Sequence, residues 1–221
     1  LTSRERLLAV INGETPDQTP VIVFPEDEFY SDAGIISIKR LANSKVSSRI
    51  VLVEVLSPLG RAIRDGIDLN AILHEDPTKG EEVIRSYVSQ AMTEISVARD
   101  SQADGIFYHL QGAEPKFSTP MQYGGHYLEA DREIMTSAQD ARFNLIFVDG
   151  GPEVYIDFVS DLPAHVFAWH KPSTGIEVSA VRKMRKGILA TTDPEADILF
   201  GRNYGLLHEL VKHNTMVESN A

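Results

Sequence analysis

The chain has 221 residues, 43% of them hydrophobic and 24% charged, which is enough apolar material for a real core and excludes general disorder. Its 32 acidic residues outweigh 21 basic ones, giving a formal net charge of −11, and a surface of that sign repels phosphate backbones. There is no cysteine, so disulfides, thiolate zinc sites, iron–sulfur clusters and a cysteine nucleophile are all excluded.

In chain order, Ser3, Glu5 and Arg6 open a short helix with Leu7, Leu8 and Ile11 as its apolar stripe, stopped by Asn12-Gly13. The opening Leu1-Thr2-Ser3-Arg4-Glu5-Arg6 is charged at once, with no apolar run behind it, so no signal peptide is expected. It also starts without a Met, and the expectation is that something is removed or omitted there. Val21 to Phe24 reads as a buried strand closed by Pro25, followed by the acidic loop Glu26-Asp27-Glu28. Ile35 to Leu41 reads as a helix. Ile50-Val51-Leu52-Val53-Glu54-Val55 is a β-branched run and a second strand, and Ser57-Pro58 starts a helix.

The strongest helix runs from Asp76-Pro77 to Ala103, with Ile84, Tyr87, Val88, Ala91, Met92, Ile95 and Ala98 at 3–4 spacing. Gly105 to His109 is a third strand, Tyr127 to Ala138 a helix and Asn144 to Val148 a fourth strand broken by Gly150-Gly151-Pro152. The loop Gly124-Gly125-His126 is a lid or a turn. Glu153 to Val159 is helical, His165 to Trp169 a fifth strand, Ile176 to Met184 a helix, Gly187 to Thr191 a sixth strand and Tyr204 to Lys212 the last helix. The densest basic stretch, Arg182-Lys183-Met184-Arg185-Lys186, is the polar end of a helix, so no nucleic-acid partner is expected. No run approaches the roughly 18 apolar residues of a membrane span; a cytoplasmic location without membrane contact is the expectation.

Continuous apolar strands alternating with amphipathic helices point to parallel βα units, in a doubly wound sheet or a (β/α)8 barrel. In both, ligands bind at the C-terminal ends of the strands. Those ends carry Glu26 and Asp27, Glu54 and Ser57, His109, Gln111 and Glu114, Asp149, His170, and Thr192 and Asp193. Turn chemistry alone favours some of these residues, and Asp193-Pro194 also suits a helix cap. His109 and His170 are harder to explain that way, because each ends an apolar strand. His109, Asp149 and His170 are therefore the candidate catalytic residues. Gln111, Glu114, Tyr123, Trp169 and Asp193 are the candidate substrate-binding set.

His109, Asp149, His170 and Asp193 also suit a divalent metal by ligand type, but their spacing matches no local metal motif, so no metal is assigned. Gly150-Gly151 lacks the spacing of a dinucleotide turn, and there is no G-x-S-x-G elbow for a hydrolase.

Several segments carry a resemblance. Ser3-Arg4-Glu5-Arg6-Leu7-Leu8-Ala9-Val10, Asn12-Gly13-Glu14 and Pro16-Asp17-Gln18-Thr19-Pro20-Val21 resemble the start of the uroporphyrinogen decarboxylase family, which includes corrinoid-dependent and cobamide:thiol methyltransferases. Ser57-Pro58-Leu59, Ala103-Asp104-Gly105-Ile106-Phe107 with Gln111-Gly112, and Asp161 to His170 are similar to later family segments, in the family's order. The resemblance implies a single (β/α)8 TIM barrel over residues 1–221.

Its main functional implication is a lyase-type decarboxylase of porphyrin metabolism, acting on a porphyrinogen or related carboxylated small molecule. The alternatives are a corrinoid-dependent methyltransferase-like enzyme working with a corrinoid partner, and a non-catalytic ligand-binding relative. No resident cofactor is implied for the first, and a homodimer is a further expectation.

The chain departs from the family at particular places. It has Asp17-Gln18 for Asp-Arg and lacks the Arg-rich carboxylate clamp. It has Phe147-Val148-Asp149 where the methyltransferases carry a zinc-binding His-x-Cys pair. Six strands are recognisable instead of eight, with βα units expected to be missing after Tyr30 and after Asp197.

Overall fold

The computed structural model describes residues 1–24, 31–41, 48–202, 205 and 207–211. Its strands are β1 (Val21–Val23), β2 (Ala33–Ile36), β3 (Ile50–Leu56), β4 (Gly105–Gln111), β5 (Leu145–Asp149), β6 (Val166–Trp169), β7 (Ile188–Thr191) and β8 (Ile198–Gly201). Its helices are α1 (Ser3–Ile11), α2 (Ile38–Leu41), α3 (Pro58–Asp65), α4 (Leu69–Glu75), α5 (Pro77–Asp100), α6 (Pro120–Gln122), α7 (Leu128–Ser137), α8 (Ile156–Val159), α9 (Lys171–Thr174) and α10 (Val178–Met184). Residues 207–211 are also helical. No helix among the described residues is long and apolar enough to cross a membrane.

The eight strands pair in the order β1-β8-β7-β6-β5-β4-β3-β2, and every pair is parallel. This is sequential order around a (β/α)8 barrel. Two earlier expectations are corrected. No strand is missing after Tyr30, because Ala33–Ile36 is β2 and only Ile38–Leu41 is helical. No strand is missing after Asp197 either, because Ile198–Gly201 is β8. The barrel is economical: β7 passes to β8 through residues 192–197 with no helix between them.

The seam between β1 and β2 is closed differently from the rest. The Asp32 N–H donates to the Val21 carbonyl at 2.7 Å. Side chains supply the rest. Val21 N–H donates to Asp32 Oδ2 at 2.8 Å, Val23 N–H to Ser31 Oγ at 3.1 Å, and Ser31 Oγ to the Ala33 carbonyl at 2.6 Å. Helix α1, opened by a Thr2–Glu5 capping box, sends Arg6 to the same seam, where it donates to Asp32 Oδ1 at 2.8 Å.

Strand parity sorts the side chains into two layers. Ile22, Ile35, Ile50, Leu52, Phe107, Phe147, Ala168, Ala190 and Phe200 fill the barrel, and Leu7 of α1 joins them. Tyr108, Leu110, Ile146, Val148, Phe167 and Trp169 point outward onto the helices. Both faces of the sheet are therefore covered, which is why the strands read as unbroken apolar runs.

Other expectations need adjustment. Gly124-Gly125-His126 is neither lid nor turn; it lies in a π-helix, Tyr123–Tyr127, that leads into α7. Of the basic stretch, Arg182 and Lys183 end α10, whereas Arg185 folds back to donate to the carbonyls of Ser160, Leu162 and Ala164. Glu26 and Asp27, and part of the last expected helix, lie outside the described residues.

Candidate functional site

The inward positions that bury Ile50 and Leu52, Phe107, and Leu145 and Phe147 continue to Glu54, His109 and Asp149 one step nearer the C-terminal mouth. Three adjacent strands thus deliver three ionisable side chains to one level. His109 Nδ1 lies 3.0 Å from Glu54 Oε1, and His109 Nε2 lies 2.9 Å from Asp149 Oδ2. With both carboxylates ionised, each can only accept, an arrangement in which both ring nitrogens donate and the imidazolium form is favoured. Burial opposes that charge, but the hydrogen bonds and fields of Asp149 and Glu54 outweigh it and raise the His109 pKa above its ordinary value. For Asp149, burial works upward and is overcome by His109 and then Arg202, so its pKa is lowered.

Beneath the imidazolium is an aromatic floor. Its ring stacks on Phe147 at 5.3 Å between centroids and meets Phe24 edge-on at 5.2 Å. Phe24 also packs on Phe107 at 4.6 Å. Gln111 Nε2 donates to Asp149 at 3.2 Å, and Arg202, just beyond β8, donates to the same carboxylate at 3.2 Å. Ser57, the cap of α3, accepts from the Gln111 N–H at 3.1 Å and so ties β3 to β4 at the mouth.

The sequence candidates separate cleanly by position. His109, Asp149 and Gln111 meet in one hydrogen-bonded group. His170 follows β6 at an inward position, but its Nδ1 pairs with Ser173 Oγ at 2.6 Å; burial and then Arg202 lower its pKa, and Asp149 only partly opposes them. Glu114 accepts from the Gly151 N–H at 2.7 Å and braces the turn after β5. Asp193 pairs with Lys171 at 2.5 Å, away from His109. Glu54, a strand-end acid given no role in the sequence reading, and Arg202, not singled out there, complete the group.

Tyr123 and Trp169 do not line the mouth. Trp169 points outward, fully buried, and donates from Nε1 to the Ile176 carbonyl at 2.9 Å. The Tyr123 hydroxyl donates to Asp131 Oδ2 and the Tyr108 hydroxyl to Asp131 Oδ1, each at 2.6 Å, within the helical layer. Burial raises the Asp131 pKa to about 6 despite those two donors. The folded state therefore holds this proton more tightly than the unfolded chain, and stability falls as pH rises from about 4 through 6. Wild type should lose roughly 3 kcal/mol relative to Asp131→Asn across that interval, as read by urea unfolding at pH 4 and pH 7.

The His109 group gives a second pH prediction with two limbs. The raised His109 pKa adds stability that is fully present below about 6.5 and is lost as pH rises through the folded value. The lowered Asp149 pKa adds stability that is present above about 3.9 and is lost as pH falls. Relative to His109→Gln, wild type should be more stable by roughly 3 kcal/mol near pH 5.5. That advantage should shrink as the solution becomes alkaline. Fluorescence of Trp169, the single tryptophan, reports the unfolding.

The zinc site implied by the methyltransferase branch does not fit these residues. Phe147 and Asp149 stand at the two ligand positions, and the chain has no cysteine. The two ring nitrogens of His109 face separate carboxylates, and among the described residues no three or more His, Cys, Asp or Glu converge as a metal site.

No family model matches the chain, and no curated protein matches it. Solved structures do. A methyltransferase from Methanosarcina mazei superposes with a TM-score of 0.75 at 10% identity, over 99% of this chain and 99% of that one. A putative vitamin-B12 independent methionine synthase from Listeria monocytogenes superposes with a TM-score of 0.51 at 10% identity, over 90% of this chain and 72% of that one. At such identity the shared property is the barrel fold.

Proposed function

We propose that the chain is a methyltransferase-like enzyme acting on a small molecule at the C-terminal mouth of its barrel. The observation that carries this reading is the His109 ring held between Glu54 and Asp149 above an aromatic floor. Moving a methyl group from a heteroatom breaks the carbon–heteroatom bond, and the electron pair stays on the departing atom. That atom needs a proton. A leaving atom that takes the place of Asp149 on His109 Nε2–H receives that proton while Glu54 keeps Nδ1, the acceptor's lone pair forms the new bond to carbon, and neutral His109 is later reprotonated from water.

Asp149 and Glu54 hold the ring in place, and Gln111 holds Asp149. Phe24, Phe107 and Phe147 exclude water from beneath the ring, which limits hydrolysis of the donor. A corrinoid carrier would be a partner's group, and none of these steps depends on it.

The alternative, decarboxylation of a polycarboxylate, also needs a proton donor, but it needs unspent cations as well. Of the cations that the described residues place at that end of the barrel, His109, Arg202 and Lys171 are paired with carboxylates of the chain, and Lys116, in the loop after β4, lies over the Phe117 ring. The likeness to a methyltransferase over the whole chain favours the same choice.

The test offers carbon-13 methyl donors (trimethylamine and dimethyl sulfide) with 2-mercaptoethanol as acceptor, and follows the label by NMR. Label transfer by the wild-type chain, lost in His109→Gln, is expected. No transfer from any donor, together with carbon dioxide release from uroporphyrinogen, would replace this reading with the decarboxylase one.

A further inference from the structure

A cavity of about 840 Å³ lies at the opposite end of the barrel from His109. It opens where α5 ends, where β4 begins and where α7 turns into β5. Small apolar side chains, Ala98, Ala103, Ala138 and Ala141, leave room between Ile95 and Ile106. Three arginines, Arg4, Arg99 and Arg142, surround that apolar wall, together with the carboxylates of Asp104 and Asp140.

The arginines are committed to different degrees. Arg4 is bound on both nitrogens to Asp104, whose Oδ2 also accepts from the Val51 N–H at 2.9 Å. Asp104 is therefore satisfied without further help. Arg142 approaches its Oδ1 only at 3.6 Å, beyond hydrogen-bond range, and its side chain is 60% exposed. Arg99 uses one nitrogen on the Ser137 carbonyl at 3.0 Å.

Two helix C-termini point here, and their free carbonyls would normally repel an anion. These carbonyls are largely taken. The N–H groups of Ser101, Gln102 and Ala103 close α5, and those of Ala138 and Gln139 close α7. The α5 turn is bought with a left-handed Gln102 at φ 61°, a conformation that costs about 1 kcal/mol or more in a non-glycine residue. Gln102 also lines the cavity.

The geometry points to a second binding site here, for a small organic anion with a flat apolar body. The body would lie against the alanine and isoleucine wall, and its carboxylate would meet Arg142 with Arg99 beside it. The volume is within the usual range for small-molecule pockets. Bidentate guanidinium–carboxylate pairing explains why an arginine suits this position.

The probe is 2-naphthoate, titrated calorimetrically into the full chain, so the test is independent of any turnover at the mouth. Saturable one-to-one binding is expected. It should weaken at least tenfold in Arg142→Gln, whose side chain is exposed enough to leave folding intact, and also in Ala141→Phe, which fills the cavity. His109→Gln should bind as wild type does. Absence of saturable binding, equal affinity in both cavity variants, or loss of binding in His109→Gln alone would overturn the assignment.

Discussion

Replacing His109 with glutamine should lower turnover by about 10²- to 10⁴-fold, the usual contribution of a positioned proton donor. Glutamine keeps an amide N–H to offer Asp149 or Glu54, so the mouth holds its shape, but it has no proton to give at neutral pH. The loss should fall on kcat more than on KM, because the proton moves only in the transition state. Asp149→Asn should give a smaller loss with a different signature. Removing that charge lowers the His109 pKa, so activity should fall away at a lower pH than in wild type. A pH profile of kcat/KM for the two variants separates donor from holder.

The second large effect belongs to the seam. Asp32→Ala should destabilise the barrel by about 1–3 kcal/mol, the usual penalty for leaving a buried hydrogen-bonding group unsatisfied, because Arg6 keeps its pair with Asp17. Asp32 is 6% exposed and serves two groups at once, the Val21 N–H and the Arg6 guanidinium. Its loss strands a buried strand donor at the β1–β2 pair, while α1 stays tied through Arg6 to Asp17 and through Arg4 to Asp104. Asp32→Asn should cost less, since the amide oxygen still accepts one of the two bonds. Urea unfolding followed by Trp169 fluorescence measures both, and equal stability of Asp32→Ala and wild type would remove the seam from the account.

The barrel was largely legible because both faces of each strand are buried. Runs such as Ile50–Leu56 and Leu145–Asp149 stand out by composition alone. β2 was hidden by spacing. Ile35, Ile38 and Leu41 recur every three residues, which imitates a helix stripe, yet Ile35 belongs to the strand and only the later two are helical. β8 is four residues long and follows an acidic, proline-containing turn with no helix before it, so nothing announced a further unit. Missing β8 also concealed Arg202, which lies just past its end.

At the site, polar residues closing apolar strands gave His109, Asp149 and Gln111. Glu54 had a readable signal, an acid within a β-branched run at the same parity as Ile50 and Leu52, which both face inward. The same rule explains the misplaced Trp169. Adjacent strand residues face opposite sides, so Trp169 and His170 cannot both point into the barrel. Tyr123 gave no such warning, because its role depends on Asp131, which comes near it only through the π-helix and the first turn of α7.

The charge state of His109 is the centre of the account, and nitrogen-15 NMR of the histidine rings reads it directly. The prediction is a pair of protonated ring nitrogens, absent from His109→Gln, that persists above about pH 6.5 and titrates lower in Asp149→Asn. A His109 ring that titrates at or below about 6.5 and ignores the Asp149 substitution would contradict it.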